Sequence, residues 1–203
     1  MKPSALPAVY QKAAGMAVEF VRTRIASRQP TVGIVLGSGL GKFAESLDDA
    51  VRIPYAEILD FPVSAVEGHA GNLWCGCVGD TCALVMQGRV HFYEGWSILD
   101  VVLPIRTMIG LGVKTLVVTN AAGGINRSYR PGTLVVMSDH LNLMGTNPLM
   151  GPNVADFGPR FPDMSDAYDP KLIAHAQACA NRLGIPLPRG VYAALAGPSY
   201  ETP

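Results

Sequence analysis

Thr31-Val32-Gly33-Ile34-Val35-Leu36-Gly37-Ser38-Gly39-Leu40-Gly41 is a short apolar run that empties into a glycine-rich loop. A short continuous apolar run bounded by turn residues reads as a buried strand. The glycines let backbone amides approach a ligand closely, and a short helix over 42–47 is expected to follow. Strand, glycine loop and helix together make an α/β unit. Two familiar loop patterns fail here. A phosphate-binding Walker loop needs G-x-x-x-x-G-K-[ST], but Gly37 to Gly41 is one residue short and Phe43 follows Lys42. The dinucleotide fingerprint needs G-x-G-x-x-G, and here the pattern is G-x-G-x-G. Two readings remain: an anion seat made of amides at a helix start plus the Ser38 hydroxyl, or a purely structural tight turn.

Outward from this unit, apolar residues recur at helical spacing over 5–28 (Leu6, Val9, Ala13, Ala17, Phe20, Val21, Ile25). Arg22, Arg24 and Arg28 crowd the end of this helix, and Pro30 stops it. Residues 51–68 read as irregular. Runs at 72–78 and 81–86 flank Gly79-Asp80 and predict a hairpin. An apolar helix is expected over 97–110, kinked at Pro104. Thr115 to Thr119 reads as a second fully buried strand, ending in Asn120-Ala121-Ala122-Gly123-Gly124. Thr133 to Ser138 reads as a third, followed by Asp139-His140. Residues 141–168 form a long loop, 170–183 a helix ended by Gly184, and Val191 to Ala196 a last strand. The 203 residues fit a single α/β domain.

Gln87-Gly88-Arg89-Val90-His91-Phe92-Tyr93-Glu94-Gly95 follows the buried run Cys82 to Met86. In extended chain, Arg89, His91 and Tyr93 share one face. A planar fork of donors, a tunable imidazole and a rigid phenol suit an anion; a surface strand with scattered polar groups is the other reading. In open α/β sheets, ligands gather outside the carboxyl ends of strands. Two buried strands ending in small-residue loops, one with Ser38 and one with Asn120, point those loops at one site. Glu67-Gly68-His69-Ala70-Gly71 is a glycine-bracketed loop whose single imidazole is either solvated or part of that site.

Composition narrows the partners. Lys plus Arg and Asp plus Glu number 16 each, with no basic block, so neither a nucleic-acid backbone nor an anionic membrane is expected. Only 16% of residues are charged against 49% hydrophobic, below the usual ~25% charged. Such a surface is expected to be covered in part by another subunit or by further chain. Cys75, Cys77, Cys82 and Cys179 match no common zinc spacing, so no metal is expected. They read as free, mostly buried thiols of a reducing compartment. Pro3, Pro7, Lys12 and Glu19 fall where a signal peptide needs an apolar stretch. Asp100 and Arg106 interrupt the best candidate for a membrane span. A cytoplasmic, soluble protein is the expectation.

With these motifs in hand, the chain resembles the purine nucleoside phosphorylases of the trimeric class. The resemblance runs from Gly33 to Thr202. It rests on Gly37 to Gly41, Gly68 to Gly71, Gly88 to Gly95, Asn120 to Gly124, Arg160-Phe161-Pro162 with Met164 to Asp169, and Gly197-Pro198-Ser199-Tyr200-Glu201-Thr202, all in order. It implies a three-layer α/β fold with a mixed β-sheet flanked by helices, and a homotrimer with sites near subunit interfaces. The implied reaction is phosphorolysis of a purine nucleoside to free base and ribose 1-phosphate, with inorganic phosphate as co-substrate and no cofactor. Carried over by residue, Ser38, His69, Arg89, His91 and the Ala121 backbone hold phosphate. Tyr93, Asn120, Phe161, Tyr192, Tyr200 and Glu201 contact the nucleoside, with Phe161 reaching a neighbouring subunit's sugar site. His91, Glu94 and Glu201 carry the catalytic roles. Glu94, three residues after His91, is expected to orient its imidazole. Glu201 accepts a hydrogen bond from N1–H of a 6-oxopurine.

The resemblance also implies a departure. In this family the chain continues beyond the Glu-Thr element and supplies further pocket residues, so this chain is expected to lack the C-terminal region. A catalytically impaired form that binds phosphate or nucleoside without turnover is therefore an alternative. A xanthosine-accepting enzyme is another. A methylthioadenosine phosphorylase is a third, expected to lack Glu201 and the Arg-x-His-x-Tyr-Glu-Gly pattern.

Overall fold

The computed structural model describes residues 6–64 and 70–199. The chain packs into two compact units, Met1–Ala121 with Pro148–Phe157 and Ala122–Asn147 with Gly158–Pro203. The first unit holds helices α1 (Leu6–Ile25) and α2 (Ile98–Gly110) and strands β1 (Val32–Leu36), β2 (Asp48–Pro54), β3 (Asn72–Val78), β4 (Thr81–Gln87) and β5 (Thr115–Val118). The second holds β6 (Val136–Asn142), α3 (Pro170–Arg182) and β7 (Arg189–Ala194).

In the first unit the sheet order is β2-β3-β4-β1-β5. β2, β3 and β4 pair antiparallel, whereas β4, β1 and β5 run parallel. The sheet is therefore mixed, and helices flank it, as expected. Alternation along the strands divides its faces. Val35, Leu84 and Met86 pack with Ile53, Leu73 and Cys75 against α1 and α2, through Ala17, Val21, Ile25, Leu103 and Met108. Leu36, Ala83 and Val85 face the other way, onto Ala44 and Leu47. Each fully buried Leu, Ile or Val contributes about 1.5–3 kcal/mol, so β4, whose Leu84 and Val85 are fully buried, is firmly held.

α2 begins where its sequence says it should. The Ser97 hydroxyl oxygen accepts from the Asp100 N–H at 3.2 Å, and the Asp100 carboxylate accepts from the Ser97 N–H at 3.3 Å, a reciprocal capping box. Ser97→Ala is expected to lower the unfolding free energy by about 1 kcal/mol, read as a shifted denaturant midpoint at unchanged slope.

Several expectations need correction. Residues 51–68 are not irregular throughout: β2 and a 3₁₀ turn, Tyr55–Glu57, occupy their first part. β2 pairs only with β3 and carries a register shift between Asp48 and Val51. Such an edge strand tolerates Pro54 and shows little alternation to read. The helix expected over 42–47 is a six-residue 3₁₀ helix, Gly41–Ser46, too short for an aligned macrodipole to matter. β5 is not fully buried: Leu116, Val117 and Val118 are exposed, because β5 is an edge of the five-stranded sheet. The strand expected over 133–138 begins at Val136 and runs through Asp139 and His140 to Asn142, half-buried at best. It pairs parallel with β7, which starts at Arg189, two residues earlier than expected, and ends at Ala194. The hairpin, α1, α2 and α3 fall where expected, within a few residues at their ends.

All four cysteines are free, but only Cys75 is buried; the others are half-buried. Burial, with Cys82 close by at 3.9 Å between sulfurs, pushes the Cys75 thiol up to about 12. Among the described residues, no helix is long and apolar enough to cross a membrane, and no group of three or more His, Cys, Asp or Glu could hold a metal ion.

Candidate active site

Three adjacent parallel strands deliver their carboxyl ends to one edge of the sheet. Leu36 of β1 lies opposite Gln87 of β4, and Val35 lies opposite both Met86 and Val118 of β5. The loops that begin at Gly37, Gly88 and Thr119 therefore start side by side. These are the loops of Ser38, of Arg89 to Glu94, and of Asn120-Ala121. This is the edge where ligands collect in α/β sheets, and it brings together Ser38, Arg89, His91, Tyr93, Glu94, Asn120 and Ala121.

The first loop turns at once. Leu40 N–H bonds back to the Gly37 carbonyl at 3.2 Å, and Gly39 has φ +83°, a conformation that glycine adopts without strain. Gly37 is required for a different reason: a Cβ there would lie 2.9 Å from the Thr119 carbonyl oxygen and from Asn120 Cα. The two loops are thus in backbone contact. Ser38 is exposed at the turn. Because the following element is a short 3₁₀ helix, the anion-seating capacity lies in the loop's own amides and the Ser38 hydroxyl.

Arg89 is half-buried, and its Nη1 donates to the Leu36 carbonyl at 3.3 Å, which sets the guanidinium beside the start of the Ser38 loop. The extended geometry expected for 89–93 does not hold. Phe92–Glu94 is a 3₁₀ turn closed by Gly95 at φ +93°. His91 and Tyr93 nonetheless come together: their rings stack with centroids 4.8 Å apart at 12°. The turn, not strand alternation, puts them side by side. Tyr93 is exposed.

Glu94 lies against His91, as expected from their spacing. Its Oε1 accepts from the His91 N–H at 2.7 Å and lies 3.0 Å from His91 Nδ1. Its Oε2 accepts from the Ser64 hydroxyl at 2.9 Å. The Glu94 side chain is only 8% exposed, the His91 ring 24%. A carboxylate can only accept, so the ring proton is on Nδ1. With the proton on Nδ1, Nε2 of the neutral ring is an acceptor.

Asn120 and Ala121 are exposed, and Asn120 Nδ2 donates to the Ala121 carbonyl at 3.1 Å. In the second unit, Tyr192 lies half-buried on β7 opposite His140 of β6. Phe161 is 87% exposed with the Arg160 guanidinium 5.8 Å from its ring centroid. His69, Tyr200 and Glu201 lie outside the described residues.

Supporting residues emerge that the sequence alone does not single out. The Tyr55 hydroxyl, fully buried, donates to the Gly88 carbonyl at 2.8 Å, next to Arg89; burial holds its pKa well above the usual phenol range. Gln87 is 6% exposed and bonds the Gly41 carbonyl. The Thr119 hydroxyl joins the ends of β1 and β5. A signal exists for Gln87, a polar residue closing an otherwise apolar strand. None exists for Tyr55, which falls in a stretch without periodicity.

Comparison with known proteins accords with this geometry. Residues 31–203 match the family model of the phosphorylase superfamily. Purine nucleoside phosphorylase 1 of Bacillus subtilis is 52% identical over 187 residues, covering 92% of this chain and 69% of its own length. The Mus musculus purine nucleoside phosphorylase is 46% identical over 179 residues, covering 86% of this chain and 62% of its own. Among solved structures, the Schistosoma mansoni purine nucleoside phosphorylase in complex with inosine matches with a TM-score of 0.88 at 43% identity, covering 94% of this chain and 68% of that one. A purine nucleoside phosphorylase in complex with ribose-1-phosphate gives 0.89 at 44% identity, covering 94% and 72%. The shared stretch holds every loop of the strand-end cluster, and so the chain belongs to the phosphorylase superfamily and, within it, to the purine nucleoside phosphorylases.

Proposed function

We propose that this chain is a glycosyltransferase that cleaves 6-oxopurine ribo- and 2′-deoxyribonucleosides with inorganic phosphate, releasing the free purine and (2-deoxy)ribose 1-phosphate. The observation that carries this reading is the cluster at one sheet edge: a carbonyl-anchored guanidinium, a carboxylate-oriented imidazole and a hydroxyl-bearing glycine loop. Together they suit a small polyanion whose oxygens must stay nucleophilic.

Phosphate rests on Ser38, Arg89, His91 and the Ala121 amide, with His69 beside it. The sugar lies against Tyr93. As the C1′–N9 bond breaks, the ribose passes through an oxocarbenium-like state. Phosphate on one face and the departing purine on the other bracket that positive charge. The C1′–O bond then forms with a phosphate oxygen, and the bond electrons leave with the base. Negative charge growing on the purine needs donors placed where it develops. Glu201 receives N1–H and so fixes which base is accepted. Adenine has a lone pair at N1, which repels a carboxylate where N1–H would donate to it, and an unpaired buried charge costs several kcal/mol, on the order of 3–5. Tyr192, Tyr200 and Asn120 complete the nucleoside side.

Inorganic phosphate is the co-substrate, and no cofactor is called for. The working form is a cytoplasmic homotrimer in which Phe161 meets a neighbouring subunit's sugar site; the 87% exposure of that ring supports a partner there. The test is hypoxanthine release from inosine by this chain with and without phosphate, and the same assay on adenosine. Release that needs phosphate and favours inosine is expected. Turnover without phosphate makes the protein a hydrolase, and phosphate binding without turnover makes it a binder; either result removes the proposal.

A further inference from the structure

The Gly37–Gly41 loop is held at both ends by side chains that the reaction above does not use. At its entry, the Gly37 N–H donates to Thr119 Oγ1 at 2.8 Å, and that hydroxyl donates its own proton to the Val35 carbonyl at 2.9 Å. At its exit, the Gly41 carbonyl accepts from Gln87 Nε2 at 3.1 Å. Gln87 cannot turn. Its Nε2 also donates to Glu45 Oε1 at 3.0 Å, and its Oε1 accepts from Trp74 Nε1 at 2.8 Å and from Asn72 Nδ2 at 3.1 Å. A primary amide has two N–H groups and two lone pairs, and all of them are used, in a residue only 6% exposed.

The arrangement flanks β1, the middle one of the three parallel strands. The loop follows β1; Thr119 comes from the end of β5 on one side, and Gln87 from the end of β4 on the other. The clamps take the polar groups at the loop's ends. Among the described residues, no acceptor is paired with the amides of Ser38 and Gly39 in the middle.

We propose that Thr119 and Gln87 are positioning residues that pre-set the Ser38 loop for phosphate, an inference that rests on reading this loop as a phosphate seat. A loop already fixed in its bound shape loses less conformational freedom when the ion arrives. Thr119 does more than hold one loop. It immediately precedes Asn120, so its hydroxyl keeps the Ser38 loop and the Asn120-Ala121 loop at a fixed spacing.

The test uses the full chain with inorganic phosphate as the probe. Thr119→Val keeps the shape and removes the hydroxyl; Thr119→Ser keeps the hydroxyl. Thr119→Val is expected to raise the phosphate KM about ten-fold, the factor matching loss of one hydrogen bond. The inosine KM should stay within about two-fold, since the clamp acts on one substrate only. Thr119→Ser should restore most of the phosphate KM, which a general packing defect would not do. Gln87→Met addresses the other end independently, with the same expected split between phosphate and inosine. Calorimetric titration with phosphate separates the two ideas at stake. A wild-type chain that binds no phosphate overturns both the seat and the clamp. Wild-type binding with unchanged affinity in Thr119→Val and Gln87→Met overturns the clamp alone. So does an equal rise in both KM values, or failure of Thr119→Ser to recover.

Discussion

Arg89→Met is expected to lower kcat/KM for phosphate by roughly a hundred-fold. The guanidinium is half-buried and anchored to the Leu36 carbonyl by a long contact of 3.3 Å. Methionine can fill much of the space of the side-chain stem. Phosphate binding has much to lose, because a charge-assisted, two-pronged hydrogen bond to an oxyanion is about twice as strong as a neutral one. Removing one partner of such a pair costs about 2–5 kcal/mol, and about 3 kcal/mol is roughly a hundred-fold. Arg89→Lys isolates the fork from the charge. Lysine keeps a cation but offers no planar pair of donors and cannot hold the same carbonyl at the same time, so about a ten-fold loss is expected. Steady-state rates with phosphate varied at saturating inosine read both. A phosphate KM that is the same in wild type and Arg89→Met removes Arg89 from the site.

Such a prediction could be made from sequence because the chemistry is carried by short local patterns. A buried strand of unbroken apolar residues, a glycine loop and an Arg-x-His-x-Tyr-Glu motif each announce themselves within about ten residues. The same holds for α1, α2 and the Gly79-Asp80 hairpin, whose signals are apolar periodicity, an apolar run and a turn pair. What failed is also instructive. Strand alternation placed Arg89, His91 and Tyr93 on one face, yet a 3₁₀ turn governs 92–94. His91 and Tyr93 still meet, by stacking. Tyr93 and Gly95 bracket Glu94, and Glu94's carboxylate caps the backbone N–H of His91. That capping bond ties residues 91 and 94 together and so favours the turn over an extended chain.

Two other misses share one cause. β2 and β5 are both edge strands of the five-stranded sheet. An edge strand is paired on one side only, so its burial and even its existence depend on neighbours distant in sequence. What Gln87, Tyr55 and Thr119 support is not legible in the sequence for the same reason. Their partners, Gly41, Gly88 and Gly37, lie 46, 33 and 82 residues away. Residue type announces what a side chain can do; only topology says which loop it does it to.

Glu94→Ala is expected to raise the phosphate KM about thirty-fold, with the inosine KM much less affected. The carboxylate meets His91 N–H at 2.7 Å, His91 Nδ1 at 3.0 Å and the Ser64 hydroxyl at 2.9 Å, in a side chain only 8% exposed. Alanine leaves those donors without their acceptor and the imidazole without its guide. A hydrogen bond to a charged group is worth about 1.5–3 kcal/mol, and about 2 kcal/mol corresponds to the stated factor. Glu94→Gln divides geometry from charge. Its carbonyl oxygen can still receive both His91 protons, while its amide nitrogen takes the place of Oε2, where the Ser64 hydroxyl can rotate to accept. Orientation survives and the negative charge is lost, so a smaller rise in phosphate KM, within about ten-fold, is expected. The ratio of the two variants then states how much of the effect is aim and how much is charge. Nitrogen-15 NMR of the imidazole adds a readout that simple loss of packing would not reproduce: the proton should reside on Nδ1 in the wild type and in Glu94→Gln, and distribute between both nitrogens in Glu94→Ala. If phosphate KM and ring tautomer are both unmoved by Glu94→Ala, the carboxylate does not position His91 and serves only to close the turn.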